Sequence, residues 1–464
     1  MESTGMINGR PIQQEGQKLW QYMATISGCL LSVGAGTILS WTSPVLPKLN
    51  SPSAWLYVNE EQGSWVGSLM AIGAIIGAVP AGGLADKLGR KKTILATAIP
   101  YITGWIMITF ANNVLTLYFA RLLGGIGVGA TCVLVPMYIA EIAEPAIRGV
   151  LGSIFQLCIS AGVLYGFVVG AIVSYTGLAI ICCCVEIAFL ASFFWMPESP
   201  VWLMCQGRKT EASKALKIFR GEDYDVNEEL AAMQKSAEET ASRKSSPADL
   251  INTKGARTAL FSGLGLLALQ QLTGINAVIF YGSTIFAAAG SSMAPDLASI
   301  VIALVQCVMS VIAAFIVDRV GRRVLLVFSS SVLALCLFFL GLYFQLNLTS
   351  MGWLPLLCLT LFMVAFAVGY GPVPWMMVGE LFPPETKGLA SVMAVIINWG
   401  TSFLVTKFFA TLKEAYGDGV TFWLFAGIMV GATAFGFFVV PETRGKSLQQ
   451  IQDELNGKVR NTIA

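Results

Sequence analysis

Residues 84–92 read Leu-Ala-Asp-Lys-Leu-Gly-Arg-Lys-Lys, and residues 316–324 read Ile-Val-Asp-Arg-Val-Gly-Arg-Arg-Val. Their aspartates, Asp86 and Asp318, lie 232 residues apart, which is half of the 464-residue chain. Two further pairs of segments follow in the same order, at offsets of 239 and 244 residues: 141–149 with 380–388, and Pro197-Glu198-Ser199 with Pro441-Glu442-Thr443. Three matches in register indicate that the chain is a duplicated unit.

The composition places this unit in a membrane. Apolar residues make up 55% of the chain and charged residues 12%, whereas a soluble domain carries about 25% charged residues. Ten cysteines lie mostly within apolar runs, without the spacing of a disulfide framework or a metal site. We therefore expect an all-α membrane protein that has no metal, no cofactor and no nucleic-acid partner, and that works as a monomer in the lipid bilayer.

Twelve apolar windows are long enough to cross a membrane, six on each side of a polar stretch. They are expected near 23–43, 64–84, 93–112, 115–138, 151–174 and 177–196, and then near 258–288, 298–317, 324–344, 354–378, 389–411 and 420–440. Six spans per half give the two halves the same direction through the membrane. The predicted organisation is a six-helix bundle at 1–196, a linker with short amphipathic helices at 197–256, and a second six-helix bundle with a short tail at 257–464.

Lysine and arginine indicate the orientation of the bundle. If both termini are cytoplasmic, 25 of the 29 basic residues fall on the cytoplasmic side, as the positive-inside rule requires. The exceptions are Lys48, Arg121, Lys407 and Lys413. We expect cytoplasmic termini, and we expect the plasma membrane because the polar N-terminus shows no dileucine sorting signal.

The repeated motif combines a turn with opposite charges. Gly89 and Gly321 permit a tight turn between consecutive helices. The basic residues beside them obey the positive-inside rule, but that rule does not explain the recurring acidic residues. Opposite charges at one end of a two-part bundle are able to pair across the seam in one state and to separate in another. Half-exposed pairs contribute only about 0–1 kcal/mol each, which suits a gate that opens often.

Two segments are the most specific in the chain: 270–276, Gln-Gln-Leu-Thr-Gly-Ile-Asn, and 371–375, Gly-Pro-Val-Pro-Trp. Together with the repeated motifs they resemble the sugar porter family of the major facilitator superfamily, over nearly the whole chain. The resemblance implies sugar transport by alternating access. It also implies a cytoplasmic gate that is closed in the outward-open state and is formed by Asp86, Arg90, Glu141, Arg148, Asp318, Arg322, Arg323, Glu380 and Lys387. Lys387 stands where the family usually has arginine, so it keeps the charge but loses the bidentate geometry.

Amide side chains inside membrane spans are costly unless they line a cavity or find partners. They donate and accept hydrogen bonds, as sugar hydroxyls do, and tryptophan offers an apolar face to a sugar ring. Hydrogen bonding between helices is the alternative for any single amide, but the number of these residues favours a substrate cavity. The candidates are Gln156, Gln270, Gln271, Asn276, Gln306, Trp375, Asn398 and Trp399. By the resemblance, all except Gln306 contact the sugar or line its cavity, and Gln306 replaces an asparagine.

Two helix breaks are expected near these residues. Gln271 and Asn276 point about 140° apart on a regular helix, so they converge only if the helix breaks or lines a wide cavity, and Thr273-Gly274 favours a break. Pro372 and Pro374 predict a hinge in the tenth span.

The substrate and the energy source stay open at this stage. Ala367 replaces a glutamate that some glucose transporters use, and the short first external loop resembles that of insect facilitated trehalose transporters, so hexoses and trehalose are both candidates. The chain has no histidine, and Glu186 is the carboxylate inside the sixth span, so facilitated diffusion is expected, with proton coupling through Glu186 as the alternative. A non-transporting sugar sensor is a second alternative, whereas nothing in the sequence indicates an enzyme. Asn347-Leu348-Thr349 predicts an external glycosylation site.

Overall fold

The computed structural model describes residues 6–7, 10–11, 16–51, 53–242, 250–290, 293–446 and 448–456. Two short strands, β1 (Met6–Ile7) and β2 (Arg10–Pro11), pair antiparallel. The other regular elements in these residues are helices. The fold is therefore all-α, as predicted.

The N-terminal half consists of seven helices. They are α1 Leu19–Ser40, α2 Thr42–Leu49, α3 Glu60–Leu88, α4 Arg90–Thr109, α5 Val114–Ile142, α6 Arg148–Ile172 and α7 Tyr175–Phe193. A capping box between Asn59 and Gln62 starts α3. Helices α3 and α5 pack backbone to backbone, because a Cβ on Gly125 would collide with the carbonyl oxygen of Met70.

Three short helices follow this half: α8 Pro200–Cys205, α9 Lys209–Arg220 and α10 Asn227–Ser242. Trp202, Leu203 and Met204 of α8 pack against the alanines of α9. Arg220 fastens the linker to the N-terminal half. Its buried guanidinium donates a hydrogen bond to the carbonyl oxygen of Ile142 (2.8 Å) and forms an ion pair with Glu229 (2.7 Å).

The C-terminal half also consists of seven helices, followed by a short one. They are α11 Lys254–Leu272, α12 Ile275–Ala288, α13 Pro295–Val320, α14 Arg322–Gln345, α15 Leu354–Val368, α16 Val373–Leu381, α17 Pro384–Phe438 and α18 Leu448–Leu455. A 3₁₀ turn covers Thr349–Met351. The 55 residues of α17 would extend about 80 Å if straight, which is far more than a membrane core. Gly417, at φ +82°, interrupts this helix and divides it into two parts, each long enough to be a separate span.

The described helices account for the predicted twelve spans. Ten helical segments are long and apolar enough to cross a membrane by length and composition. Helix α4 is not among them, because Arg90, Lys91 and Lys92 at its start lower its hydropathy. Helix α17 counts once among the ten, although Gly417 makes it two. Each of the pairs α1–α2, α11–α12 and α15–α16 forms one span.

The hydrogen bonds between the two halves lie at one end and at the middle of the bundle. We call the end with the Gly89 and Gly321 turns the basic end, and the end with Ser43 and Ser283 the far end. Four hydrogen bonds between described residues join the halves: Ser43 Oγ with Ser283 Oγ (3.2 Å), Ser283 N to Ser43 Oγ (3.0 Å), Lys407 Nζ to Ser64 Oγ (2.8 Å) and Ser160 Oγ with Ser310 Oγ (3.3 Å). The first three lie towards the far end and the last lies midway. The seam is thus closed at the far end.

Candidate functional site

The predicted break between Gln271 and Asn276 is present. Helix α11 ends at Leu272 and α12 begins at Ile275, with Gly274 between them in the left-handed region at φ +84°. The break turns Asn276 back towards Gln271, and its Nδ2 donates a hydrogen bond to Gln271 Oε1 over 2.7 Å. Two amides that a regular helix would hold apart therefore converge at the middle of the bundle.

Asn398 of α17 joins this pair to Gln270. Gln271 Nε2 donates to Asn398 Oδ1 (3.0 Å), and Asn398 Nδ2 donates to Gln270 Oε1 (2.7 Å) and to the carbonyl oxygen of Leu267 (3.2 Å). Asn276 Nδ2 also donates to Ser402 Oγ (2.7 Å). We call Gln270, Gln271, Asn276 and Asn398 the amide cluster. Its four side chains are at most 6% exposed.

The amide cluster is also tied to the second predicted helix break. Helix α15 ends at Val368 and α16 begins at Val373, so the segment before Pro374 is interrupted as predicted. Gln270 Nε2 donates to the carbonyl oxygens of Tyr370 and Gly371, both at 2.8 Å. These carbonyl groups are available because the helix is broken there.

Ser329 of α14 supports the same break, a role that sequence analysis does not predict. Its hydroxyl donates to the carbonyl oxygen of Ala365 (2.7 Å) and accepts from the backbone N–H of Tyr370 (3.2 Å). Gly369 has to be a glycine, since a Cβ there would collide with the Ser329 side chain. A serine pointing from α14 into the break is recognisable only once the packing of α14 on α15 is known.

Much of the hydrogen-bonding capacity of the amide cluster is used internally. Interhelical bonding, the alternative considered from the sequence, is therefore part of what these amides do. Some capacity remains for a ligand: the amide group of Gln271 has two N–H donors, of which one is used by Asn398, and each carbonyl oxygen accepts two bonds. The cluster is thus held in place by its own bonds and still presents polar atoms.

The other candidate residues lie on α6, α13, α16 and α17 and differ in their exposure. Gln306 and Trp399 are 7% and 6% exposed, and the buried Trp399 Nε1 has no hydrogen-bond partner among the described residues. Trp375 of α16 is 38% exposed. Gln156 is exposed on α6 of the opposite half, one turn from the Ser160 contact with the C-terminal half towards the basic end. Thus seven of the eight candidates belong to the C-terminal half.

The charges of the repeated motif form one network in the N-terminal half. Arg90 binds both oxygens of Glu141 at 2.9–3.0 Å and forms an ion pair with Asp86 at 2.8 Å. Ser199 donates to Glu141, and Glu198 accepts from the backbone N–H groups of Lys91 (3.0 Å) and of Ser199 (2.8 Å). The Pro-Glu-Ser segment therefore closes the turn at Gly89.

The C-terminal half repeats this network. Arg322 pairs with Glu380 at 2.9 Å, Thr443 donates to Glu380 at 2.5 Å, and Glu442 accepts from the backbone N–H groups of Arg322 and Arg323 at 3.1 Å. Gly89 and Gly321 adopt nearly the same φ, +101° and +108°. Matching contacts at matching sequence positions support the duplication read from the sequence.

Three of the remaining gate candidates bond within their own halves. Arg148 is exposed and donates to the carbonyl oxygen of Ala143 (3.2 Å), and Lys387 is exposed and donates to that of Gly379 (3.2 Å). Arg323 donates to the carbonyl oxygen of Phe437 and lies over its ring, 5.1 Å from the centroid. Asp318 lies in the last turn of α13, and its side chain is outside the described residues. Pairing across the seam stays a prediction for the opposite state.

Glu186 lies in the middle of α7 and is completely buried. Its carboxyl group packs against Gly34 of α1, and both of its oxygens lack a hydrogen-bond partner in the part of the chain that the structure describes. Burying an unpaired carboxylate charge is costly, so we infer that this side chain is uncharged in this state.

Asn347, the predicted glycosylation site, follows α14 at the far end. It is exposed. Among the non-glycine residues that the structure describes, Asn347 alone adopts a positive φ, at +49°. Its accessibility fits the prediction, which stays a prediction.

Comparison with known proteins matches the family described as "Sugar (and other) transporter" to residues 36–455. The chain is 37% identical over 465 residues to the facilitated trehalose transporter Tret1 of Bombyx mori, covering 98% of this chain and 92% of that protein. It is 38% identical over 451 residues to Tret1 of Aedes aegypti, covering 95% of this chain and 56% of that protein. Among solved structures, the xylose transporter XylE from E. coli in a partially occluded inward-open conformation matches with a TM-score of 0.78 and 25% identity, covering 93% of this chain and 100% of the solved chain.

Proposed function

The chain belongs to the sugar transporter family, and from this premise we propose that it carries a hexose or trehalose by facilitated diffusion, with the amide cluster as the core of the sugar site. The observation that supports this most directly is the convergence of Gln271 and Asn276 at the Gly274 break, with Asn398 bridging to Gln270. Pre-arranged amides that both donate and accept suit a ring of hydroxyl groups.

The closed far end supports alternating access. Three hydrogen bonds seal the halves there, whereas the gate charges of the basic end pair within each half. A sugar at the amide cluster would therefore exchange with the compartment at the basic end in this state. We assign that compartment to the cytoplasm, because the basic residues concentrate there, and we assign both termini to it and the protein to the plasma membrane.

Two observations bear on which sugar the protein carries: the substrates of its relatives, and the small side chain of Ala367. Trehalose is favoured by the relatives that are trehalose transporters, and a hexose is compatible with the same amides. Ala367 is 6% exposed beside the second helix break, where a glutamate would add bulk and charge.

Counterflow tests this proposal. Proteoliposomes loaded with unlabelled sugar are diluted into labelled glucose or labelled trehalose, without a proton gradient. A facilitative carrier gives a transient uphill accumulation of the label for its substrate, and Asn398→Ala should reduce that accumulation while the exposed control Asn112→Ala should not. Binding of sugar without any flux would instead identify a sensor, and the transport proposal would be withdrawn.

Proton coupling through Glu186 is the second candidate, favoured by its burial without a hydrogen-bond partner among the described residues. If Glu186 carries the coupled proton, an inward proton gradient drives net accumulation, and Glu186→Gln abolishes that accumulation while leaving counterflow intact. The exposed linker residue Glu222 supplies the matched control, Glu222→Gln. Facilitated diffusion predicts that a proton gradient drives no net accumulation in either variant or in the parent.

A further inference from the structure

Four basic residues lie away from the basic end, and three of them have their hydrogen-bond or ion-pair partners within their own half. Lys48 donates to the carbonyl oxygen of Gly170 (2.9 Å), buried Arg121 donates to those of Ile38 (2.7 Å) and Val66 (3.0 Å), and Lys413 forms an ion pair with Asp418 (2.8 Å). The fourth, Lys407, is different. Its partners belong to the other half.

Lys407 lies on α17 and reaches α3 across the seam. Its Nζ donates to Ser64 Oγ over 2.8 Å and lies 4.5 Å from the centroid of the Trp65 ring. Ser64 is 2% exposed and directs its own hydroxyl hydrogen to the carbonyl oxygen of Glu61 (2.6 Å), so its oxygen is free to accept from the lysine. Phe403, one turn earlier on α17, packs against the same tryptophan with 6.1 Å between ring centroids.

An ammonium group over a half-buried tryptophan is a strong attachment for a single side chain. Trp has the best face for such a cation, and the attraction grows as the pair is removed from water. The other hydrogen bonds between described residues of the two halves are between serines or from a backbone N–H to a serine. Lys407 is therefore the charged member of this set, and it contacts a position where the halves have to part if the far end opens.

We propose that Lys407, held by Ser64 and the face of Trp65, is a tether that keeps the far end closed and so sets the balance between the two states of the carrier. This rests on alternating access in the proposed function. A cavity of about 580 Å³ lies at this end, with Gly63 beside Ser64 among its lining residues, together with Lys413 and Glu414. Acidic residues of the cavity lining, Glu60 and Glu414, offer the ammonium an alternative partner once it leaves the tryptophan, so the tether is able to break and re-form.

The tether has no counterpart in the duplicated unit. The sequence offsets of 239 to 244 residues that relate the halves place residues 163–168 opposite Lys407, and none of these six is charged. The gate network of the basic end, in contrast, occurs once in each half. The contact of Lys407 is thus not part of the repeated pattern, and its residues lie outside the amide cluster.

Accessibility of the seam tests the tether directly. Ser43 is completely buried at the far seam, so a Ser43→Cys reporter reacts with a thiol reagent only when the far end opens. Fragment-ion mass spectrometry locates the label at position 43 and distinguishes it from the native Cys29 in the same peptide. Lys407→Met keeps the length of the side chain and removes the charge. We expect it to raise the labelling rate about tenfold, equivalent to about 1.4 kcal/mol in the opening equilibrium.

Three comparisons make the result decisive. Lys413→Met removes a charge from the same helix without touching the seam, and it should leave the labelling rate within about twofold of the reporter alone. Trp65→Leu should raise the rate, and adding Lys407→Met to it should raise it by less than tenfold, since the two act on one contact. Lys407→Arg retains a cation for the ring and should stay near the parent.

The proposal is overturned if Lys407→Met labels at the parental rate, or if Lys413→Met raises labelling as much. A variant that fails to fold is recognised by its elution profile in detergent. Lys407→Arg shows in addition whether position 407 tolerates replacement by another cation. The readout needs no sugar. If counterflow fails but the labelling pattern is as expected, the transport proposal is removed and the tether is kept. If counterflow succeeds but Lys407→Met labels at the parental rate, the tether is removed and the transport proposal is kept.

Discussion

Replacing Gly274 by alanine should weaken both the binding of sugar and the stability of the fold. The residue adopts φ +84° and ψ 10°, a left-handed conformation that costs an L-residue with a Cβ about 1–2 kcal/mol. Space is not the obstacle, because the nearest atom to an added Cβ belongs to Phe425 at 3.6 Å, an ordinary contact. The cost of Gly274→Ala is therefore a cost in backbone conformation.

The backbone can lower this cost by straightening towards a regular helix, and straightening separates Asn276 from Gln271, which now bond at 2.7 Å. Losing one aligned hydrogen bond to the sugar costs about 1–1.5 kcal/mol, so the sugar concentration for half-maximal counterflow should rise about tenfold. Thermal unfolding in detergent should show a free-energy loss of similar size, about 1–2 kcal/mol.

Two variants separate this explanation from a general effect of glycine replacement. Gly427→Ala alters a helical glycine with nothing within 4 Å of the added Cβ, and it should leave counterflow and stability near the parent. Gly274→Asn should recover part of the affinity, because asparagine tolerates the left-handed region better than alanine. Unchanged affinity and stability in Gly274→Ala would refute the argument that the break creates the site.

The remaining predictions concern the amide cluster and the gate. Asn398→Ala removes one acceptor and two donor bonds and, at about 0.6 kcal/mol for each bond between membrane helices, should lower the unfolding free energy by about 2 kcal/mol in detergent; an unchanged thermal midpoint would contradict it. Arg90→Lys replaces the paired contacts with both oxygens of Glu141 and should cost about 1–2 kcal/mol by the same measurement, whereas the exposed control Lys92→Ala should cost little; equal effects of the two variants would contradict the assignment.

Helix breaks were predictable from the sequence because they depend on local chemistry. Gly274, which lies between Gln271 and Asn276, marks one place where a regular helix is unfavourable, and Pro372 with Pro374 marks another. Both interruptions are present. The repeated Gly89 and Gly321 turns were predictable for the same reason. The number of spans was predictable from the lengths of the apolar windows. Hydropathy of the helices alone is not sufficient, because it omits α4 and counts α17 as one span.

Contacts that depend on packing or on the conformational state were not predictable. Ser329 completes the second break from a neighbouring helix, and a serine in an apolar span carries no sign of that role. The sequence identifies Lys407 only as an exception to the positive-inside rule and does not predict its partners in the other half. The gate charges have partners within their own halves and, by the family resemblance, across the seam, so the sequence could not say which pairing this state uses.

The central claim is that the two halves close alternately at opposite ends around the amide cluster. Electron–electron distance measurements test it, with spin labels on encoded unnatural amino acids at Gly149 and Gly388 of the basic end, where an added Cβ meets nothing within 4 Å, and at exposed Asn112 and Tyr416 of the far end. We predict two distances at each end, with the shorter distance at one end accompanying the longer at the other, and with populations that shift when sugar is added. A single unchanging distance at both ends, with and without saturating sugar, would contradict the claim.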